Sequence, residues 1–171
     1  MTLNSAPSTG ETSFPLISVA TIPSERAARY GKQLVSHMGH KITGFWDEEA
    51  SSGYLLFDRE GPVLGRFDVV ASASNLRLEL RTEPERADRL EFIVGIHLAR
   101  FGARDSLAIS WERTDGSDGS TQGPLTPEEV EARARAKKAA REAAAPEATE
   151  RGAAEREATD HVAAEREASE R

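Results

Sequence analysis

The sequence predicts an α+β domain built as a two-layer sandwich, with two helices on one face of an antiparallel sheet in the order β-α-β-β-β-β-α-β, followed by a charged helical or disordered tail. Three observations predict it. Two segments, around Tyr30 and Val94, place apolar residues at three-to-four spacing, which puts them on one face of a helix. Between them, short β-branched and apolar runs alternate with Gly, Ser, Asp and Pro turns, as in a strand meander. In one of these runs Leu76, Leu78 and Leu80 alternate with Arg77, Glu79 and Arg81, so only one sheet face is covered. Laying both apolar helix stripes on that covered face buries all three surfaces in one core.

The elements follow in order. Leu16 to Ile22 is short, apolar and β-branched and is stopped by Pro23, which suits a strand. Ser24 can accept from the free amides of a first helical turn, and Ala27, Tyr30, Gly31, Leu34, Val35 and Met38 form the stripe of helix one. Gly39 supplies a residue able to end it in the left-handed conformation. Strands are expected at Lys41 to Trp46, Tyr54 to Phe57, Val63 to Ala71 and Leu76 to Leu80. Thr82-Glu83-Pro84-Glu85 has the form of a capping box that opens helix two, whose stripe is read as Ala87, Leu90, Ile93, Val94, Leu98 and Phe101. Gly102 ends that helix, and Leu107, Ile109 and Trp111 alternate with polar neighbours in a last strand.

These elements place an α+β domain at residues 14–113, after a disordered lead at residues 1–13 that is rich in Ser, Thr, Gly and Pro. A Gly/Ser/Asp stretch reads as a flexible linker over residues 114–124, and residues 125–171 as a helical or disordered tail of Ala, Glu and Arg. Thr126, Pro127 and Glu129 are start signals for a helix, but between Val130 and Val162 no large apolar side chain offers it anything to pack. From Ala143 onward the tail is a tandem decamer. At about 100° per residue, ten residues turn successive repeats by about 80°, so no coiled-coil seam builds up.

A formal charge of −7 on 171 residues describes an acidic protein without a basic field for nucleic acid or an anionic membrane. The N-terminus has neither a basic n-region nor an apolar run, and nowhere do 18 apolar residues occur together, so a soluble cytoplasmic chain is expected. With no cysteine there is no thiolate chemistry, and any metal would need His, Asp and Glu. No phosphate-binding loop, dinucleotide fingerprint, metalloprotease helix or nucleophile elbow is present, so nothing identifies an enzyme.

The residues able to carry chemistry reduce to His37, His40 and His97, with Tyr30 and Trp46 as polar-tipped aromatics beside them. The predicted stripe of helix two sets His97 among Leu90, Ile93, Val94 and Phe101, facing the core. A buried imidazole needs a partner, and a structural hydrogen bond or a ligand answers that need equally. His37, in the last turn of helix one, and His40, just beyond it, suit pairing with the helix dipole. Convergence of all three where helices meet sheet would instead make a nitrogen-donor site for zinc, iron or haem, although no such cofactor is required.

The strings Ala28-Arg29-Tyr30, Lys32-Gln33-Leu34, His37, Gly39-His40-Lys41 and Trp46-Asp47-Glu48, then Val94-Gly95, His97-Leu98, Arg100-Phe101, Leu107 and Trp111, resemble the bacterial family catalogued as domain of unknown function 2218. The likeness runs from about Ile17 to Arg113. It departs at Phe57 to Pro62, where the family usually has a short Phe-Gly hairpin, and at Gly31, where a large apolar residue is usual and glycine should cost helix one about 0.5–1 kcal/mol. The family's pattern includes His37, His40 and His97. Association of similar domains with siderophore-interacting flavin reductases implies a context of iron acquisition. The expected function is therefore a non-enzymatic accessory that binds a small, iron-bearing or haem-like ligand, with a protein-interaction accessory docking on a reductase or transporter partner as the alternative.

Overall fold

The computed structural model describes residues 13–144, so most of the N-terminal lead and the decamer repeat lie outside the described residues. The chain divides into two units, Met1–Pro127 and Glu128–Arg171. In the first, seven strands form one antiparallel sheet: β1 (Leu16–Pro23), β2 (Thr43–Asp47), β3 (Ser52–Leu56), β4 (Gly65–Ala71), β5 (Asn75–Thr82), β6 (Ile109–Arg113) and β7 (Asp118–Gln122), in the spatial order β2-β3-β4-β5-β1-β6-β7. Helices α1 (Ala27–Met38) and α2 (Pro84–Phe101) lie against one face, α1 over β2 to β5 and α2 over β1 and β5 to β7.

The alternation read from the sequence decides which side is dry. On β5, Leu76, Leu78, Leu80 and Thr82 point into the core, in register with Ile22, Ala20, Ser18 and Leu16 of β1. Phe67 and Val69 of β4, Leu55 of β3, and Ile109 and Trp111 of β6 extend the same layer toward both edges. Leu34 and Val35 of α1 and Val94 and Leu98 of α2 close it from above. The opposite face is wet: there Arg77 and Arg81 share Glu79, and Arg66 grips Asp68.

Several local expectations are corrected. Thr82 does not cap α2; it belongs to β5, and its hydroxyl donates to the Leu64 carbonyl at 2.7 Å, so no capping box forms. Gly39 ends α1 at φ −61° in the right-handed region, and the left-handed turn after the helix layer falls on Ser106. Residues 118–122, expected within a flexible linker, form β7 at the sheet edge. Its composition is that of a loop, and it is held by side-chain partners more than by β propensity.

Those partners converge on a charged group that lies outside the apolar stripe read from the sequence. Glu91 of α2 is fully buried, and its carboxylate accepts five hydrogen bonds: from Ser18 Oγ (2.6 Å) and Arg113 Nε (2.8 Å) at one oxygen, and from Arg113 Nη2 (3.0 Å), Ser120 N (2.9 Å) and Ser120 Oγ (2.7 Å) at the other. Arg113 also reaches Asp88. Beside it, Trp111 Nε1 donates to Gln122 Oε1 at 3.0 Å, and Gln122 donates onward to Ser120 at 2.9 Å. One carboxylate thus ties α2 to β1, β6 and β7. Gly95 makes room for this, because a Cβ there would collide with the Gln122 amide.

In the second unit, the helix that spans residues 127–144 is exposed along its length apart from a half-buried Val130. Arg135 with Glu131 and Lys138 with Glu142 are i,i+4 pairs at 3.9 Å, worth only a few tenths of a kcal/mol each. No helix among the described residues is long and apolar enough to cross a membrane.

Burial pushes the Glu91 carboxyl up, but the hydrogen bonds from Arg113, Ser18 and Ser120 outweigh it and hold the group below its ordinary value. The stabilisation is therefore complete above the unfolded-state pKa and disappears as pH falls toward the depressed native one. Replacing Glu91 with Ala leaves the Arg113 guanidinium with only the exposed Asp88 as counter-charge and is expected to cost about 3–5 kcal/mol in urea unfolding, with much of the acid-limb pH dependence lost in the variant.

Candidate functional site at the helix junction

The last turn of α1 meets the C-terminal end of α2. There the rings of His37 and His97 stand 5.1 Å apart, centroid to centroid, and Phe101 packs its ring edge-on to His37 at 5.4 Å. His37 is exposed and His97 half-buried. His97 Nδ1 lies 2.7 Å from the Ile93 carbonyl of its own helix. A carbonyl can only accept, so Nδ1 carries the proton and donates, and in the neutral ring Nε2 keeps the free lone pair.

His97 is thus not at the centre of the buried stripe, as the sequence reading placed it. The residues of α2 that face the core are Ala87, Leu90, Glu91, Val94, Gly95, Leu98 and Ala99, while Ile93 and Phe101 are half-buried. Counting about 100° per residue, the buried stripe is turned by about 60° from the predicted one, which moves His97 to its edge. The signal that could have found it is the run Ala87, Glu91, Gly95, Ala99: small residues at intervals of four mark a close approach to the sheet, and Glu91 sits in that row.

The five candidate residues fall in three places. His37 and His97 come together; His40 is exposed, close enough for its charge to bear on His37, and makes no ring contact with either. Tyr30 is buried, and its hydroxyl donates to Asp105 Oδ2, which Arg26 also reaches at 3.5 Å. Burial, then this bond, raises the pKa of the phenol. Trp46 lies on the other flank of α1, where Nε1 donates to Glu48 at 3.1 Å and Glu48 also holds Lys32. It lines a shallow groove of about 550 Å³ with Arg29, Gln33 and Ser51. Among the described residues no three His, Asp or Glu side chains are arranged to hold a metal ion, so His37, His40 and His97 do not make the three-donor arrangement weighed as an alternative.

Gly31, an anomaly in the sequence, is explained here. A Cβ at that position would meet the Trp46 ring at 2.9 and 3.0 Å and Leu76 Cδ1 at 3.3 Å, so the indole occupies the space that a larger residue would fill. In the hairpin that also departs from the family pattern, Asp58 accepts from the amide (3.0 Å) and hydroxyl (2.6 Å) of Thr43 and caps the start of β2, which holds its carboxyl below the ordinary range.

The fold and these side chains define the class: an α+β domain with two helices on one antiparallel sheet and two imidazoles in contact where the helices meet. The chain belongs to the family described as "Uncharacterized protein conserved in bacteria (DUF2218)", whose model matches residues 19–112, more than half of the sequence. No curated protein matches it. Among solved structures it is similar to the NMR structure of PA4090 from Pseudomonas aeruginosa, at 23% identity and a TM-score of 0.46, over 61% of this chain and 99% of that one.

Two measurements check this geometry. Gly31→Leu should displace the indole, shifting tryptophan emission to the red and costing about 1–3 kcal/mol through overpacking. Desolvation, followed by the electrostatic influence of His97, His40, Lys41 and Arg100, lowers the pKa of His37 from 6.5. An NMR titration of the ring should therefore give a midpoint below that value, and Arg100→Gln should move it upward.

Proposed function

We propose that this chain is a non-enzymatic binding module that receives a small, metal-bearing ligand at the helix junction. The observation that carries the reading is the His37–His97 pair, with one imidazole held by the Ile93 carbonyl so that its Nε2 is left to a ligand. Two donors leave a bare divalent cation short of the usual four. A chelated iron brings most of its own donor atoms and needs only one or two more, so haem or a ferric siderophore complex suits the pair better than a free ion. The flat Phe101 ring beside them adds an apolar surface for such a ligand. A place in iron acquisition, with a siderophore-interacting reductase as partner, fits this reading.

A second reading, a protein-interaction accessory, is favoured by the wet sheet face. Phe45 is 55% and Val70 49% exposed there, near Tyr54, whose ring carries the Arg66 guanidinium at 5.0 Å. Large exposed apolar side chains beside arginine are common at interfaces.

The test is to titrate the full chain with haem, following the Soret band, and with ferric citrate, following quenching of Trp fluorescence. Binding should weaken about tenfold or more in His97→Ala and in His37→Ala, both checked for native thermal unfolding. Equal binding by the wild type and both variants would remove the histidines from the site.

A further inference from the structure

The two edges of the sheet are finished differently. An outermost strand presents a row of free amides and carbonyls, and proteins normally blunt it with lysine, proline, a bulge or a covering group. At the β7 edge the register shifts between Ser110 and Glu112, and the Ser120 amide is taken by the Glu91 carboxylate at 2.9 Å. β2, at the other edge, has none of these devices: Thr43-Gly44-Phe45-Trp46-Asp47 contains no lysine or proline and pairs with β3 in unbroken register. Which groups it leaves free follows from β3. The Ala71 amide donates to the Ser51 carbonyl and the Phe57 amide to the Gly65 carbonyl, both at 2.9 Å, so residues in odd positions along β3 bond to β4. Those in even positions, Ser52, Tyr54 and Leu56, therefore face Asp47, Phe45 and Thr43 of β2 as bonding partners. Gly44 and Trp46 turn their amides and carbonyls outward.

A second copy of the same edge fits those groups. We propose that the chain self-associates by pairing β2 with β2 of another copy, antiparallel about a twofold axis at Phe45, so that one sheet runs through both. Centred there, Gly44 of each copy lies opposite Trp46 of the other and the two exchange amide and carbonyl bonds, which engages the outward groups of both residues. Phe45 lies opposite its own copy in the closer, non-hydrogen-bonded kind of pair, with the Tyr54 ring 6.1 Å away on the same face. This covers the most exposed large apolar side chain among the described residues. The flanks are complementary as well. Thr43 faces Asp47, and the register carries the exposed Lys41 of one copy toward the exposed Glu49 of the other, with no like charges opposed. An edge this short with one aromatic pair makes a concentration-dependent dimer rather than an obligate one. The proposal stands apart from the ligand reading of the helix junction, and it assigns the surface at Phe45 to a second copy in place of a reductase or transporter.

The experiment is sedimentation velocity of the full chain from about 5 µM to about 500 µM, at physiological ionic strength so that the net charge of −7 on each copy is screened. The wild type should shift from monomer toward dimer over that range. Phe45→Lys, which sets like charges at the axis, should raise the dissociation constant about tenfold or more while thermal unfolding stays native. Val70→Lys, exposed on the same face but in β4, should associate as the wild type does. Amide hydrogen exchange of the wild type at both ends of the range supplies a second readout that needs no variant. Exchange at Gly44 and Trp46 should slow as concentration rises, while Phe45 and Asp47, already bonded to β3, should be unchanged. A wild type that stays monomeric throughout overturns the proposal and leaves Phe45 to a different protein. Association that Val70→Lys weakens as much as Phe45→Lys, or protection that rises at β7 instead of at Gly44 and Trp46, overturns it in favour of stacked faces or the opposite edge. Haem titrated at a concentration where the chain is monomeric tests the helix junction separately, so either reading can fail while the other stands.

Discussion

The Glu91 carboxylate, desolvated beneath α2 and held by Arg113, Ser18 and Ser120, sets the rotation of that helix and the position of the sheet edge beneath it. Removing such a charge from water costs several kcal/mol even after relaxation, so the site is tolerable only while every lone pair is engaged. That requirement propagates. Arg113 must stay at the end of β6 and Ser120 must stay in β7, so a strand with the composition of a linker is held in the sheet by the acid it serves. No buried side-chain polar atom among the described residues is left without a partner, which is the condition for such a network to stabilise a core.

Periodicity made most of the architecture legible. Period two in Leu76 to Leu80 and period near 3.6 in Ala27 to Met38 are consequences of where side chains project, and they survive whatever the tertiary context does to the ends of the elements. Both helices, the one-sided sheet and its six principal strands could therefore be read directly. The ends could not. Thr82 and Glu85 spell a capping box, but the pairing of Thr82 with Leu16 across β1 and β5 extends the strand through it and turns the hydroxyl to the Leu64 carbonyl. Gly39 could adopt a left-handed conformation without using it, because the bond from its amide to Val35 closes the helix in ordinary geometry. β7 was illegible for a different reason: its residues have little strand preference of their own, and what fixes them is contact with residues far away in sequence.

The site was half legible. Histidines at positions 37 and 97 could be singled out as chemistry-bearing residues on facing helices, and they do meet. The depth of His97 was misjudged, because a hydrophobic stripe was assumed to contain only hydrophobic residues. Once Glu91 is admitted to the core, the row Ala87, Glu91, Gly95 and Ala99 becomes part of the buried face, and Ile93 and His97 turn toward its rim. A single buried charge, which no pattern of apolar residues can reveal, displaced the reading of a whole helix.

The same rotation decides which side chains of α2 reach the junction. With Glu91 and Asp88 committed to Arg113, Asp105 to Tyr30 and Arg26, and Glu48 to Lys32 and Trp46, these carboxylates around the helix layer serve the frame. His97 and Arg100 leave the core on the same side of α2, and His37 and Lys41 come toward them from α1 and the turn beyond it, also at the negative end of that helix's dipole. The dipole offsets only part of their charge, since it is worth a few tenths to about 1 kcal/mol at an exposed terminus. The helix cannot be turned to bury the imidazoles without expelling Glu91, and Glu91 cannot be expelled without releasing the edge of the sheet.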